Sequence, residues 1–374
     1  MIHPKLKLTI PWESIEFEAQ QQIIRILAMP ELESLAIMPD VHPGYDLCIG
    51  GVALMKGVVS PSFVGYDIGC GMCHVNTGAT LEELGIESIE QRKKLYESIC
   101  EFIPAGAGKT LNASKRNSYA EGDFVFKSAI GDANLDKIVQ PFFSTQFGTL
   151  GSGNHFLEIG INSEGYVGIT IHSGSRRVGY EIASWYIRKG SLLKLDSDFG
   201  RAYLADMQEA LDFALSNRQE MMSRTLHLLH LNKKIKKLLA SDFMINENHN
   251  HAVFFGEEMI LHRKGATPAE KNQMGIIPAN QRDGVWITRG LGNKEYLCSA
   301  SHGAGRTLSR VDARVIGTVA DLEKDMDGVV CRTDKGVLNE ASWVYKNIDE
   351  VLAAQENILV EVVDHFKPII VHKG

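Results

Sequence analysis

The sequence has no apolar run of membrane length, no secretory signal peptide, no internal repeat and no low-complexity linker. It also has only six cysteines in 374 residues, too few for a disulfide framework. These absences predict a soluble protein of the reducing cytoplasm, without membrane attachment. In that compartment, a cysteine close to histidines and an aspartate is more often a metal ligand or a nucleophile than half of a disulfide.

The chain also lacks the strong positive charge of proteins that coat nucleic acid. Its formal net charge is −7, so binding to a polynucleotide would need a local cluster of lysine and arginine. Hydrophobic residues make up 44% and charged residues 23%, which are ordinary values for a globular protein. The length and the missing linker favour one compact mixed α+β domain over residues 1–374 rather than two domains.

Apolar periodicity predicts both helices and strands along the chain. Helices are predicted at residues 17–29, 81–105, 180–189, 200–240 and 347–366, and strands at 49–54, 166–171, 253–261 and the last residues of the chain. Asp40 and His42 stand beside two prolines in a turn-like context. His42 is interpreted either as a hydrogen-bonded structural histidine or as a group that orients a metal ligand.

One stretch sets a histidine among small residues and follows it with an arginine: Ser299-Ala300-Ser301-His302-Gly303-Ala304-Gly305-Arg306. Small neighbours let a phosphate group approach the imidazole of His302 closely. The two glycines let successive backbone N–H groups turn toward an anion, and the guanidinium of Arg306 adds a two-pronged donor. The stretch therefore predicts a phosphate site with His302 at its centre.

Four further stretches place histidine, cysteine or aspartate among equally small residues. They are centred on Asp67 with Cys70, on Asn154-His155, on His172-Ser173-Gly174-Ser175-Arg176, and on His249-Asn250. A thiolate can bridge two metal ions, and a carboxylate suits a harder ion. We interpret the five stretches as converging on one pocket, where two metal ions hold a nucleotide phosphate against His302. Of His249 and His251, His249 is taken as the residue that enters the site.

Three weaker signals allow other interpretations. Cys70 and Cys73 form a C-x-x-C pair that would suit a redox site or half a zinc site, but no second pair and no thioredoxin-like context accompanies it. His227 and His230 could share a metal ion, although their leucine neighbours favour packing. The basic run at 233–237 is interpreted as a solvated face or, alternatively, as a grip on phosphates.

Residues 105–110 resemble the end of a P-loop, a phosphate-binding turn. The first glycine that this motif requires would fall at position 103, which is Ile103, so the pattern fails. With Lys109, Lys115 and Arg116, this loop is interpreted as a contact to a polynucleotide backbone or as a mobile surface loop.

Taken together, these stretches resemble the RtcB family of RNA ligases from Asp40 to the end of the chain. The most specific pieces are Gly65-Tyr66-Asp67-Ile68-Gly69-Cys70-Gly71, Gly151-Ser152-Gly153-Asn154-His155-Phe156-Leu157-Glu158, His172-Ser173-Gly174-Ser175-Arg176 and His302-Gly303-Ala304-Gly305-Arg306. The resemblance implies a fold in which β-sheets flanked by helices surround a central pocket for two metal ions. It also implies a GTP- and manganese-dependent ligase, with two Mn²⁺ per active site, that joins RNA ends carrying a 3′-phosphate or a 2′,3′-cyclic phosphate to 5′-hydroxyl ends.

The resemblance assigns roles to individual residues. It implies that His302 is the nucleophile that becomes guanylylated. The implied metal ligands are Asp67, Cys70, His155, His172 and His249, with Cys70 shared by both ions, Asp67 and His155 on one of them and His172 and His249 on the other. The implied nucleotide-binding residues are Asn154, His155, Phe156, Leu157, Glu158, His249, Asn250, Pro278, Ala279, Asn280, Gln281, His302, Gly303, Ala304, Gly305 and Lys373. Arg176 and Arg306 are implied to contact phosphates.

The chain also departs from the family pattern. The guanine-side loop, commonly Pro-Gly-Ser-Met followed by a serine, reads Pro278-Ala279-Asn280-Gln281, with Val285 where the serine is expected. The lost hydroxyl groups put guanine selectivity in question, although Asn280 or Gln281 could supply a replacement hydrogen bond. Tyr45-Asp46-Leu47-Cys48 replaces a glycine–proline segment, and Asn339-Glu340-Ala341-Ser342 replaces Asp-Glu-Ala-Pro.

The residue types agree with the implied chemistry, with one mismatch. An imidazole nitrogen can attack phosphorus and leave again, and two close metal ions can stabilise the charge that develops on phosphoryl oxygens. By ligand softness alone, however, a set of cysteine, histidine and aspartate favours zinc, so manganese is implied by the resemblance only. Two other functions remain: a metal-dependent RNA phosphodiesterase or cyclic phosphodiesterase that uses water, and a non-catalytic RNA-binding subunit. The sequence specifies neither the physiological RNA nor an activating protein partner.

Overall fold

The structure, a computed structural model, describes residues 3–110 and 125–374. Lys115 and Arg116, two of the residues considered above as polynucleotide contacts, lie outside the described residues. No helix in the described ranges is long and apolar enough to span a membrane.

Helices form where one face is apolar, and in several of them a side chain caps the first turn. The helices are α1 (Phe17–Leu27), α2 (Pro61–Val64), α3 (Leu81–Leu84), α4 (Ile89–Phe102), α5 (Ala133–Thr145), α6 (Arg176–Ile187), α7 (Asp198–Leu228), α8 (Ile235–Leu238), α9 (Arg310–Ile316), α10 (Val319–Asp325) and α11 (Ile348–Ala353). Short 3₁₀ turns lie at Trp12–Ser14, Asn232–Lys234, Lys294–Tyr296, Leu338–Glu340 and Ser342–Val344. In α4, for example, the side chain of Ser88 accepts from the backbone of Gln91 while the Gln91 side chain accepts from Ser88, so two unsatisfied N–H groups are paired at once.

The strands are β1 (Leu6–Leu8), β2 (Leu32–Tyr45), β3 (Leu47–Lys56), β4 (Val58–Val59), β5 (Gly71–Thr80), β6 (Phe156–Ile161), β7 (Tyr166–Ser173), β8 (Leu193–Lys194), β9 (Met244–Asn248), β10 (Asn250–Phe254), β11 (Met259–Lys264), β12 (Ala266–Pro268), β13 (Met274–Pro278), β14 (Val285–Gly290), β15 (Ser299–Ser301), β16 (Val330–Cys331) and β17 (Val360–Lys373). One sheet has the order β1-β2-β3-β11-β10, and the other has the order β13-β14-β17-β6-β7-β5-β9, with β16 added beside β17. Two small sheets pair β12 with β15 and β4 with β8. Two large sheets with helices packed on them make a mixed α/β fold, as the sequence predicts.

The larger sheet brings the predicted ligand stretches to one edge. Its central strands run antiparallel, so the beginning of β5, the beginning of β6 and the end of β7 meet there. Phe156 lies opposite His172, and Gly71 lies opposite both Ser173 and Asn248. Strand β17 ends at the same edge, with Lys373 opposite Phe156. Residues far apart in the sequence are therefore neighbours at this edge.

Several predicted elements differ from the observed ones. The predicted helix at 81–105 is two helices, because Gly85 takes a φ of 65° and ends the first. The predicted helix at 200–240 stops at Leu228, and His230 follows with a left-handed φ of 59°. The predicted strand at 253–261 is a hairpin of β10 and β11. Asp40 lies inside strand β2 rather than in a turn.

The predicted helix at 347–366 is wrong for most of its length. Helix α11 covers only Ile348–Ala353, and the chain then turns at Asn357, whose φ is 60°. From Val360 onward it forms strand β17, which is rich in valine and isoleucine. Pairing with β14 and β6 outweighs a weak helical pattern, as tertiary contacts commonly do for β-branched sequences. The predicted final strand is confirmed, and it packs through Ile370 and Val371.

Candidate active site

Five side chains at the sheet edge form what we call the ligand cluster: Asp67, Cys70, His155, His172 and His249. The Sγ atom of Cys70 lies 3.3 Å from Nε2 of His155 and 3.2 Å from Nε2 of His172. Nε2 of His172 lies 3.3 Å from Nε2 of His249, and Nε2 of His155 lies 3.2 Å from a carboxylate oxygen of Asp67. The donor atoms form two groups of three that share Cys70, and within each group they lie within 4.8 Å of one another.

Burial controls the protonation of this cluster. Burial, followed by the charge of Asp67, raises the pKa of the Cys70 thiol well above its usual value. Burial, followed by neighbouring imidazoles, lowers the pKa of His172 and His249 well below theirs. The histidines are therefore neutral and offer lone pairs, while the thiol needs a nearby cation to ionise. Nε2 of His172 lies 3.3 Å from Nε2 of His249 and 3.2 Å from Sγ of Cys70, and these three donors suit a divalent cation between them.

A buried arginine in helix α7 holds the loops that carry the ligands. Arg218 is fully buried and donates from Nη1 to the carbonyl oxygens of Gly69 and Ser173, both at 2.9 Å. It also donates at 2.7 Å to the side-chain oxygens of Asn246 and Asn248. One guanidinium thus connects the residue before Cys70, the residue after His172 and the strand before His249.

The predicted nucleophile, His302, follows strand β15 and faces a buried carboxylate. Nδ1 of His302 lies 2.6 Å from Oδ2 of Asp40, and the same oxygen accepts from the His302 backbone N–H. Asp40 is completely buried. The imidazole of His302 lies 4.7 Å from that of His249, centroid to centroid, at an angle of 65°. When the carboxylate accepts a hydrogen bond from Nδ1–H of the neutral ring, the other ring nitrogen, Nε2 of His302, keeps a free lone pair.

A cavity of about 520 Å³ opens beside His302. Of the predicted nucleotide-binding residues, it is lined by Asn154, Phe156, Glu158, Pro278, Ala279, Asn280, Gln281, His302, Gly303, Ala304, Gly305 and Lys373. His172 and Arg306 also contribute to the wall, so the ligand cluster and the predicted phosphate site share this cavity. Its volume falls in the range of ligand pockets. The structure therefore brings most of the predicted residues together around one space.

One glutamate organises the cationic side of this cavity. Glu340 is almost fully buried and lies 3.2 Å from Nζ of Lys373, 3.3 Å from Arg306 and 3.6 Å from Arg310. The hydroxyl of Tyr345 also donates to it. We call these five residues the Glu340 hub. Burial alone would raise the pKa of Glu340, but Lys373 and the neighbouring cations outweigh burial and lower it. The three cations outnumber the single carboxylate, which leaves positive charge for an anionic ligand.

The polar side chains of the guanine-side loop are already bonded within the protein. Asn280 donates to Asp283 at 2.8 Å and accepts from the backbone N–H groups of Arg282 and Asp283. Gln281 donates to the carbonyl oxygen of Glu340 at 2.9 Å. The replacement hydrogen bond to guanine considered from the sequence would therefore cost one of these contacts.

Glu158 is different from the other polar groups of the cavity wall. Its Oε1 atom is buried and has no hydrogen-bond partner in the structure. Burial raises the pKa of Glu158 well above its usual value, so the carboxyl group is protonated and can donate a hydrogen bond. An unsatisfied buried donor that faces a cavity suits a polar ligand.

Some predicted residues lie outside the cavity. The side chain of Leu157 belongs to the hydrophobic core, because alternate residues of β6 face opposite sides of the sheet. Asn250 donates to the carbonyl oxygen of Asp67 and accepts from Gly265, so it shapes the loop. His155 and His249 lie in the ligand cluster. The guanidinium of Arg176 lies 3.1 Å from Nδ1 of His155. Asp67 contacts the other ring nitrogen of His155, Nε2.

The weaker sequence signals find structural partners elsewhere. Cys73 is buried in the core around β5 and is not a member of either donor group, and all six cysteines are free thiols. His251 accepts from Arg263 at 3.2 Å. His227 contacts the Asn232 side chain at 2.7 Å, and the lysines at 233–237 are exposed. Residues 105–110 pair with the loop at Gly151 through the N–H group of Gly106.

Sequence analysis missed three residues that support the site. Asp40 was noted without a role, although an aspartate two residues before a histidine in a buried strand is a signal. Arg218 could have been suspected because Asn217-Arg218 interrupts the apolar face of a long helix. Glu340 was named only as part of the segment 339–342 and was given no role, because its partners are distant in sequence.

A cavity with a carboxylate-held histidine, beside a cysteine, an aspartate and three histidines, defines the class of protein: an enzyme with a histidine centre next to a ligand set for metal ions. The family model described as "tRNA-splicing ligase RtcB" matches residues 22–374. The chain therefore belongs to the RtcB family of RNA ligases.

Curated relatives cover nearly the whole chain. The "RNA-splicing ligase RtcB" of Escherichia coli K12 is 35% identical over 391 aligned residues, which cover 96% of this chain and 95% of the relative. The "tRNA-splicing ligase RtcB" of Nanoarchaeum equitans is 28% identical, with coverage of 94% and 91%. The "RNA-splicing ligase RtcB2" of another Escherichia coli strain is also 28% identical, with coverage of 90% and 87%.

Proposed function

We propose that this enzyme is a GTP- and manganese-dependent RNA ligase. It joins an RNA end with a 3′-phosphate, or with a 2′,3′-cyclic phosphate that is first opened by water, to a 5′-hydroxyl end. Its tasks are RNA repair or tRNA splicing. The six free thiols support a reducing compartment, and we place the enzyme in the cytoplasm.

The observation that carries this proposal is the contact between His302 and Asp40. A distance of 2.6 Å from Nδ1 to a fully buried carboxylate orients the ring and leaves Nε2 as the nucleophilic nitrogen. The ring lies beside His249 of the ligand cluster and lines a cavity of about 520 Å³. A histidine held by a carboxylate can attack phosphorus itself or act as a general base for water, so the covalent label described below separates the ligase from the hydrolase.

The covalent steps balance as follows. Nε2 of His302 attacks the α-phosphorus of GTP, a P–N bond forms, and the bond to the bridging oxygen breaks to release pyrophosphate. An oxygen of the RNA 3′-phosphate then attacks the same phosphorus, and the imidazole leaves with its electron pair. Finally, the 5′-hydroxyl oxygen attacks the phosphorus of the RNA 3′-phosphate, loses its proton and displaces GMP.

Asp67, Cys70 and His155 would hold one metal ion, and Cys70, His172 and His249 would hold the second. When bound, the two ions would neutralise charge on the phosphoryl oxygens. The donor set by itself suits zinc, so metal content and metal-dependent activity are separate measurements. Arg306, Arg310 and Lys373 supply the protein's own positive charge toward the phosphates.

The test is covalent labelling. Protein incubated with MnCl₂ and GTP labelled at the α-phosphate should retain the label after denaturation, and GTP labelled at the γ-phosphate should leave none. His302→Ala should abolish the label, whereas His227→Ala, which removes an exposed histidine of helix α7, should not. A label that survives His302→Ala refutes the assigned nucleophile. Opening of a cyclic phosphate in the absence of GTP, by a protein that also retains no label and joins no ends when GTP is supplied, would identify the phosphodiesterase instead.

A further inference from the structure

We propose that Tyr45, Tyr66 and Tyr180 form a stacking platform for unpaired nucleotides of the RNA strand whose end occupies the active site. We call these three residues the tyrosine platform. The proposal rests on the proposed function only in taking RNA as the ligand.

The three rings form a continuous row although they come from three separate elements. Tyr45 ends strand β2, Tyr66 lies in the loop after helix α2, and Tyr180 lies in helix α6. The ring centroids of Tyr45 and Tyr66 are 5.7 Å apart, and those of Tyr66 and Tyr180 are 5.4 Å apart, with a tilt of only 30° in the second pair. These distances are typical of interacting aromatic side chains.

The row is exposed to solvent along its whole length. The exposed fractions are 49% for Tyr45, 36% for Tyr66 and 46% for Tyr180. Rings that only completed the core would be covered, as Tyr186 and Tyr203 are. Contiguous exposed apolar surface of this kind marks an interaction site.

The middle residue of the platform is joined directly to the ligand cluster. Tyr66 immediately precedes Asp67, the member of the cluster whose side chain is 38% exposed. At the other end, the guanidinium of Arg177 lies 5.7 Å from the Tyr180 ring and 4.9 Å from the Phe142 ring. Arg177 is exposed and also pairs with Glu181.

These features favour single-stranded RNA over a protein as the occupant. Every base has a π-face, so a row of tyrosine rings binds unpaired nucleotides with little sequence preference. An exposed arginine beside the row suits the phosphate backbone. Asp67 is the exposed member of the ligand cluster, so a strand that leaves the cluster at Asp67 comes next to Tyr66.

The experiment measures binding of a fluorescent single-stranded RNA of about ten nucleotides that ends in a 3′-phosphate, a length that a single-strand site can cover. Tyr45→Leu and Tyr180→Leu should each raise the Kd about tenfold, because a Leu side chain cannot stack on a base. Tyr45→Phe and Tyr180→Phe keep the ring and should bind as the wild type does. Thermal unfolding of each variant checks that the fold is kept.

Two controls separate the platform from the active site. Tyr166→Leu removes a ring with the same exposure as Tyr66, 36%, at the start of strand β7, and should not change the Kd. A dinucleotide with the same 3′-phosphate cannot cover three rings, so the Leu variants should lose less affinity for it than for the longer RNA.

The proposal is overturned if the wild type fails to bind the longer RNA, if the Leu variants bind it as tightly as the wild type, or if Phe and Leu variants weaken binding equally. It is also overturned if dinucleotide binding or Tyr166→Leu shows the same loss. Covalent labelling of the wild type by GTP is measured in a separate experiment, and its result does not depend on the tyrosine rings. Ring-dependent RNA binding without labelling would retain the platform and reject the ligase mechanism, and labelling without ring dependence would do the reverse.

Discussion

The ligand cluster and the Glu340 hub lie on two sides of one cavity, and their polar atoms are satisfied in opposite ways. In the ligand cluster, thiol and imidazole donors face each other at 3.2–3.3 Å, and burial keeps them neutral. In the Glu340 hub, three cations already lie 3.2–3.6 Å from one carboxylate, and the set keeps a net positive charge. The comparison teaches that the ligand cluster suits an added cation, whereas the hub already contains ion pairs and suits an added anion.

Removal of the shared cysteine should have the largest effect. Cys70→Ala takes one donor from both groups, so we expect loss of metal binding and a fall in ligation of at least about 1,000-fold, as removal of a central catalytic component commonly causes. Metal should stabilise the wild type by about 2.7 kcal/mol at 100 times its Kd, and this gain should disappear in the variant.

Metal content by mass spectrometry and thermal unfolding with and without metal check this expectation. Cys73→Ala is the matched control, because Cys73 is equally buried but lies in the core beside β5. A Cys70→Ala protein that binds two metal ions would show that the cluster does not need the bridging thiol.

The next largest effect should come from the carboxylate behind the nucleophile. Asp40→Asn keeps the shape of the side chain but removes its negative charge. That charge stabilises the positive charge that the His302 ring acquires when Nε2 bonds to phosphorus, so we expect labelling by GTP to slow about 100-fold. Asp206→Asn changes another buried aspartate, one that accepts from Tyr186, and should leave the labelling rate unchanged. Equal rates for Asp40→Asn and the wild type would exclude an electrostatic role for Asp40.

The Glu340 hub should respond in stability and in nucleotide affinity. Glu340→Gln leaves buried Lys373 without its counter-charge, and removing one partner of a buried pair costs about 3 kcal/mol. Glu361→Gln breaks the exposed pair with Arg289 and should cost less than about 1 kcal/mol. Chemical unfolding measures both.

If the hub positions cations for the nucleotide, Glu340→Gln should also change the KM for GTP while metal content stays at the wild-type level. A changed metal content would show that the two sides of the cavity are not independent, which would weaken the comparison.

The smallest effect, counted per pH unit, concerns Glu158, whose buried Oε1 atom has no hydrogen-bond partner among the described residues. Burial raises its pKa, so the folded state holds a proton that the unfolded state releases near pH 4.5. Relative to Glu158→Gln, the wild type is therefore most stable in acid and loses about 1.4 kcal/mol of unfolding free energy per pH unit above that value, until the folded group itself ionises. Unfolding measured between pH 5 and pH 8, with exposed Glu33→Gln as the control, should show this slope, and parallel curves would indicate that Glu158 is ionised.

Local glycine-rich motifs made much of the site predictable. Gly69, Gly151, Gly153 and Gly305 take φ values between 70° and 101°, so the sequence positions where ligands leave the sheet are marked by a residue that tolerates this backbone. The histidines beside them are the ones that the fold brings together.

Supporting residues were less predictable, because their partners are far away in the chain. Asp40 lies 262 residues from His302, and Arg218 lies 149 residues from Gly69. No local pattern encodes such contacts. The first part of strand β17, which was predicted as helix, has the same origin, since its pairing with β14 is a contact between residues far apart in the chain.

The position of Arg218 has a consequence for how the ligand loops are coupled. Its guanidinium contacts Gly69, Ser173, Asn246 and Asn248 at once, so the loops around Cys70 and His172 share one support in helix α7. Displacement of that helix would therefore disturb both groups of donors together instead of one at a time.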